Sequence, residues 1–226
     1  MTRAEYRQAL RGRRGFVGMD LSSTKDLTAL VAVFPDDDDY FDVLAQFFCP
    51  KENIRQRALR DKVPYDEFER TGDLIATSGA RVDYEAVRQT LKDWDAEFNI
   101  KTIAYDPWNA TDLTNRLKEL DEFDLVEIRQ GFASLSAPTK YLEMAILSKK
   151  LRHDGHPVLR WCIGNVAISI DDKKSMDDAA NIKPSKIKSN EKIDGVVALV
   201  MAVDQMNRNN STKEPEYKIM VLGGAH

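Results

Sequence analysis

Three apolar runs lie close together near the start of the chain: GFVGMDLSS from Gly15, LTALVAVFP from Leu27 and YFDVLAQFFCP from Tyr40. Only the short polar link STKD and the acidic tip Asp36 to Asp39 separate them. Parallel neighbours need long crossovers, so links this short predict an antiparallel meander. The Asp run is read as a solvated turn, because adjacent carboxylates repel each other and diverge.

Beyond the meander the pattern alternates. Residues 51–62 read as a helix, and 63–82 as irregular chain ending in a short strand. Asp83 caps a helix through Val87, Leu91, Trp94 and Phe98. KTIAYD is a buried strand, DLTNRLKEL a helix and FDLVEIRQ a further strand. A helix around Lys140 to Lys149 sets Leu142, Ala145, Ile146 and Lys149 on one face. HPVLRWCIGNVAISID combines a helix with a short strand. The basic loop NIKPSKIKSNEK then leads into the apolar helix IDGVVALVMAVDQMNR. An antiparallel start followed by βαβ units predicts an α/β fold, a mixed sheet with helices on both faces. Arg3, Arg7, Arg11, Arg13 and Arg14 against the single acid Glu5 give residues 1–14 the look of a linker or of the end of a preceding helix. The expected division is a linker at 1–14, a folded domain at 15–209 and a polar tail at 210–226.

Composition narrows the partners. The 226 residues carry 33 Lys plus Arg against 37 Asp plus Glu, a formal charge of −4. That excludes a generally basic DNA-coating protein but leaves room for a local nucleic-acid surface. Two cysteines without CxxC spacing and three histidines exclude a disulfide scaffold, a Cys-rich zinc site and a His-rich metal site. No apolar run reaches the length of a membrane span, and no signal core follows the basic start; a soluble protein of a reducing compartment is expected.

Three carboxylates border apolar segments where a core residue would be apolar. Asp20 ends the first strand, Asp106 ends the strand Ile103-Ala104-Tyr105 before Pro107, and Asp194 opens the last helix. Taken singly, each is also read as a cap or turn residue. Strand ends and helix starts of one α/β sheet converge at one edge. Three carboxylates there repel unless cations neutralise them. Hard divalent cations prefer oxygen ligands, and two such ions serve phosphodiester hydrolysis. Asp26 and Asp204 are weaker candidates. The segment before Asp194 holds Lys183, Lys186, Lys188 and Lys192, suited to backbone phosphates. Lys192 is the first choice to reach a scissile phosphate and Lys186 the second. Arg160 and Trp161 read as packing residues. Trp108 is read as a cover for the sheet edge, with stacking on a base as the alternative.

GFVGMDLSSTKDLTAL, TIAYDPWNATDL, LRHDGHPVLRWCIGNV and KPSKIKSNEKIDGVVALVMAVD, in that order, resemble the nuclease domain of tailed-bacteriophage terminase large subunits. The resemblance spans about Arg11 to about Asn207. It implies a ribonuclease H-like fold and a metal-dependent endonuclease that cuts concatemeric double-stranded DNA at the start and end of packaging. The family's metal-binding carboxylates fall on Asp20, Asp106 and Asp194, with two Mg²⁺ or Mn²⁺ ions. His153, beside the turn Asp154-Gly155, is read singly as structural, while the resemblance slightly favours it as a phosphate or water contact; Asn165 is read as a supporting residue that orients a loop or contacts the substrate. The partners it implies are DNA, the terminase ATPase domain, the small terminase subunit and the portal protein, with no membrane. The location it implies is the host cytoplasm and, transiently, the procapsid portal. The chain departs from the whole family protein in lacking a GxxxxGK[ST] phosphate loop, so no ATPase activity is expected of it. Two other classes remain open at this stage: an actin-like nucleotide-binding phosphotransferase, suggested by GMDLSST, and a non-catalytic DNA-binding assembly domain.

Overall fold

A computed structural model describes residues 1–22, 26–52, 54–108, 110–171, 180–189 and 191–210. The expected 210–226 tail lies outside the described residues apart from Asn210. The meander forms as predicted: β1 (Arg14–Asp20), β2 (Thr28–Pro35) and β3 (Phe41–Pro50) pair antiparallel, with Asp20 opposite Ala29 and Thr28 opposite Phe48. The Asp36 carboxylate closes the acidic turn by accepting from the backbone N–H groups of Asp38 and Tyr40. β4 (Leu74–Thr77) runs parallel to the end of β3, β5 (Asn99–Tyr105) parallel to β1, and β6 (Leu125–Glu127) parallel to β5. The sheet order is β4-β3-β2-β1-β5-β6. β7 (Leu151–His153) pairs with the start of β3, while β8 (Ile168–Ile170) and β9 (Ile182–Pro184) form a separate antiparallel pair.

Helices cover both faces. α1 (Arg3–Ala9) lies on one face; α2 (Ile54–Asp61) and α3 (Tyr65–Arg70) lie on the other. α4 (Tyr84–Glu97) and α5 (Thr111–Glu119) join α1, burying Trp94, Leu113 and Leu117 against Val17, Met19 and Phe34. α6 (Phe132–Leu147), α7 (Pro157–Asn165) and α8 (Asp194–Asn210) complete the opposite face over Phe16, Val31 and Phe47. Because both faces are covered, the central strands are apolar almost throughout. α8 is buried from Asp194 to Met206, with the sheet beneath it and α6 and α7 above. No described helix is long and apolar enough to cross a membrane.

Three expectations are corrected. Residues 1–14 are not a bare linker. Thr2 and Glu5 form a capping box, Tyr6 and Leu10 at i and i+4 are buried, and the Tyr6 hydroxyl donates to Asp42 at 3.0 Å. The arginines pair within the chain: Arg3 with Asp73 and Asp154, Arg7 and Arg11 with Glu97, and Arg13 with Asp42. The irregular stretch 63–82 contains a helix, α3, anchored by the buried Tyr65 ring. The helix expected from Lys140 begins at Phe132 and carries Pro138 inside it. Burial of Leu135, Thr139 and Leu142 outweighs the hydrogen bond that proline removes. Ile146 is half exposed rather than core, and Lys149 lies past the helix end at φ +57°.

α8 rests directly on β1. A Cβ at Gly18 would lie 1.9 Å from the Ala198 carbonyl oxygen. Since neither backbone can give way cheaply, Gly18→Ala is expected to cost roughly 3 kcal/mol or more in chemical denaturation; a cost under about 1 kcal/mol would show that α8 is free to shift.

Candidate functional site

Side chains alternate along β1, so Phe16, Gly18 and Asp20 all face α8. The close approach at Gly18 therefore carries Asp20, at the strand end, up to Asp194, at the start of α8. Both carboxylates are buried, at 3% and 1% exposure. They meet on one cation: Lys186 Nζ donates to Asp20 Oδ2 at 2.7 Å and to Asp194 Oδ1 at 2.9 Å. Gln130 Nε2 donates to the other Asp20 oxygen at 3.3 Å, and the Leu27 N–H to Asp194 Oδ2 at 3.3 Å.

The electrostatics follow from this burial. Desolvation pushes Asp20 up to about 7, against the pull of Lys186 and with the push of Asp194. Burial likewise raises Asp194, again opposed by Lys186 and reinforced by Asp26. Burial disfavours the Lys186 ammonium, but the two carboxylates outweigh it and hold Lys186 above its ordinary range. Its stem remains partly exposed; only the tip is enclosed by carboxylates.

Asp106 leaves the neighbouring parallel strand beside Asp20, since Met19 is in register with Tyr105. Its side chain is engaged in its own turn, where Oδ1 accepts from the Trp108 N–H at 3.0 Å. Among the described residues no three His, Cys, Asp or Glu side chains are gathered as a metal cage. The donor chemistry nevertheless fits a hard divalent cation: two desolvated carboxylates with a positive charge already between them, and a third carboxylate at the next strand end.

The lysines divide. Lys186, the second choice, is the one at the carboxylates. Lys192 instead pairs with Asp26 at 2.5 Å. Lys183 donates to the Gln130 carbonyl at 2.7 Å and lies over the Phe132 ring, tying β9 to the start of α6. Lys188 is exposed on the turn closed by Ser185. A polar cleft of about 230 Å³, lined by Asp26, Lys186, Ser189, Glu191, Lys192 and Asp194, opens here. Asn165 ends α7 with its buried Nδ2 meeting no acceptor among the described residues. Asp204 is a helix-internal partner of Arg208. Burial pushes Cys49 up to about 11 and Cys162 up to about 12, so neither thiol serves as a nucleophile at neutral pH.

His153 is placed elsewhere. It pairs with Val43, which pairs with Val33 and through it with Phe16, four residues before Asp20. That is about 13 Å along the strands and about 14 Å across them. It borders an apolar groove of about 390 Å³ at the far end of the sheet. Trp108 does not cover the sheet edge as expected; it is 77% exposed. Trp161, by contrast, packs edge-on against Tyr65. Gln130 was not singled out by sequence. Its signal is a polar residue shortly after an apolar strand, on the edge where Asp20 and Asp106 emerge.

His156 is structural. It caps α7, its Nδ1 accepting from the Leu159 N–H at 3.4 Å, and its buried Nε2 has no hydrogen-bond partner among the described residues. Burial, helped by Arg3, lowers it to about 4. The unfolded chain takes up a proton near pH 6.5 while the folded chain resists it, so stability falls as pH drops from 6.5 to 4. Relative to His156→Asn, the wild type is expected to lose roughly 3 kcal/mol more over that interval in pH-dependent denaturation; parallel profiles would refute a neutral buried imidazole.

Residues 6–210 match the protein family described as terminase large subunit, endonuclease domain. The chain is 34% identical over 196 residues to the terminase large subunit of Enterobacteria phage HK97, covering 86% of this chain and 38% of that protein. It thus spans less than half of that relative's length. The crystal structure of the HK97 large terminase aligns with a TM-score of 0.76 at 32% identity, over 91% of this chain and 43% of that one. The large terminase nuclease domain of bacteriophage SPP1 with bound Mn gives 0.54 at 13% identity, over 91% and 92% of the two chains. The large terminase nuclease of thermophilic phage G20c with bound magnesium gives 0.52 at 9%, over 86% and 84%. These more distant likenesses concern the fold, which is the predicted ribonuclease H-like one.

Proposed function

The chain belongs to the endonuclease-domain family of terminase large subunits, and from that premise we propose that its acidic edge hydrolyses phosphodiester bonds of double-stranded DNA with two divalent metal ions. The observation that carries this reading is the meeting of Asp20 and Asp194 on the Lys186 ammonium, a cation position built from buried oxygen donors. The Mn and magnesium in the SPP1 and G20c nucleases support Mg²⁺ or Mn²⁺ as the ions. When bound, they would activate water and stabilise the leaving oxygen.

The residues of the chain then divide the work. Asp20, Asp106 and Asp194 would hold the ions through their carboxylate oxygens. Gln130 orients Asp20 through its amide N–H. Lys186 would carry its positive charge to the scissile phosphate if metal took its place between the carboxylates. Lys192 and Lys188 hold the flanking backbone, and Lys183 braces the loop that carries Gln130. The substrate is concatemeric phage DNA cut as packaging begins and ends. The partners are the ATPase domain, the small subunit and the portal, in the host cytoplasm. Phosphate contacts do not read sequence, so the cut is weakly sequence-specific. Without a GxxxxGK[ST] loop, this chain hydrolyses no ATP.

Incubated with supercoiled plasmid and Mg²⁺ or Mn²⁺, the chain is expected to nick and linearise it. EDTA abolishes the cutting, and Asp20→Asn slows it by roughly 100-fold or more, the scale of losing a group that stabilises transition-state charge. A wild type that cuts with neither metal overturns the reading.

Lys186→Met leaves two buried carboxylates without their counter-ion. The metal-free melting temperature falls, with a cost below the ~3–5 kcal/mol of a fully buried pair because the lysine stem is partly exposed. Mn²⁺ then raises the melting temperature more in the variant than in the wild type. Equal rises in the two would argue that metal and ammonium do not share a position.

A further inference from the structure

Two large apolar side chains stand in solvent at the rim of the acidic edge. Trp108 is 77% exposed and Ile187 is 96% exposed. Trp108 follows Asp106 by two residues, and the Asp106 carboxylate holds its backbone N–H. Ile187 directly follows Lys186, whose Nζ touches Asp20 and Asp194. The path from one apolar side chain to the other therefore runs through all three carboxylates. Trp108 sits on the loop leading to α5, on one face of the sheet; Ile187 sits between β9 and α8, on the other. Both loops are pinned: Asp106 closes the first, and Ser185 closes the second by accepting the Lys188 and Ser189 N–H groups.

Core packing explains neither residue. Both project from held backbone into water, and Ile187 lies between Lys186 and Lys188, which suit phosphate. A ligand offering phosphates and flat apolar faces at one place is a nucleic acid with accessible bases. We propose that Trp108 and Ile187 grip DNA through its bases on either side of the carboxylates: Trp108 stacks on a base face, and Ile187 wedges into a base step, opening the duplex where the carboxylates act. Base–aromatic stacking tolerates any sequence, and apolar wedges unstack and kink duplexes. The inference rests on the nuclease reading of the same edge and adds how the substrate is held and deformed.

Of the three tryptophans, Trp94 is fully buried and Trp161 half-buried, so DNA-dependent quenching of red-shifted emission reports Trp108. The wild-type chain is titrated in EDTA with duplexes carrying 2-aminopurine. Tryptophan emission is expected to fall and 2-aminopurine emission to rise. In plasmid cleavage with Mn²⁺, Trp108→Ala and Ile187→Ser raise KM roughly ten-fold, within the range of a lost base stack, and Trp108→Phe recovers most of it. Leu147→Ala, an exposed leucine at the far end of the sheet, changes nothing. If the wild type cuts DNA but both variants keep its KM and the tryptophan emission ignores DNA, the inference is overturned and the rim is a protein-contact surface. If the wild type neither binds nor cuts DNA, the nuclease reading fails and takes the inference with it.

Discussion

The contact of α8 with β1 at Gly18 governs the rest of the molecule. A hydrogen in place of a side chain lets the two backbones touch, and that contact sets the height of α8 over the sheet. It also sets where the helix begins relative to the strand end. Gly195 repeats the device one residue into the helix, where a Cβ would press on the Phe47 ring at 2.6 Å. α6 and α7 then close over α8, so the acidic edge is framed by buried core. Rigid elements rather than loops position Asp20 and Asp194, which suits chemistry sensitive to small displacements.

Such a frame has an electrostatic consequence. Two carboxylates removed from water cannot both remain charged without a cation. Lys186 meets that need from a turn whose stem stays in solvent. A partly exposed side chain, not a core group, thus neutralises the pair, which leaves the position accessible to another cation. The second pair at the cleft, Lys192 with Asp26, lies nearer the surface and balances the entrance.

Much of the fold was legible in the sequence. The meander followed from three apolar runs with short links, and the alternating elements after it from periodicity and caps such as Asp83. Elements that depend on distant partners were not legible. α1 needs the sheet face and Asp42 to bury Tyr6. α3 is too short to announce itself before Tyr65 meets Trp161. The first half of α6 lies before a proline and is held by packing. At the site, the three carboxylates were visible as polar residues ending apolar segments. Gln130 was not, because a single amide near a strand end resembles any turn residue. Sequence distance to Asp194 favours Lys192 over Lys186, yet the nearer lysine pairs with Asp26.

The sequence by itself determined the α/β class, the strand order at the start and the identity of the acidic residues, because periodicity and chain connectivity are local properties. Only the tertiary structure decided which of these groups meet. The face alternation of β1 and the Gly18 contact bring Asp20 to Asp194 across 174 positions of chain. The same sheet geometry carries His153 to the opposite end, although it lies nearer to Asp194 in sequence than Asp20 does. Proximity between distant residues is set by how sheet and helix pack, and no local pattern records it.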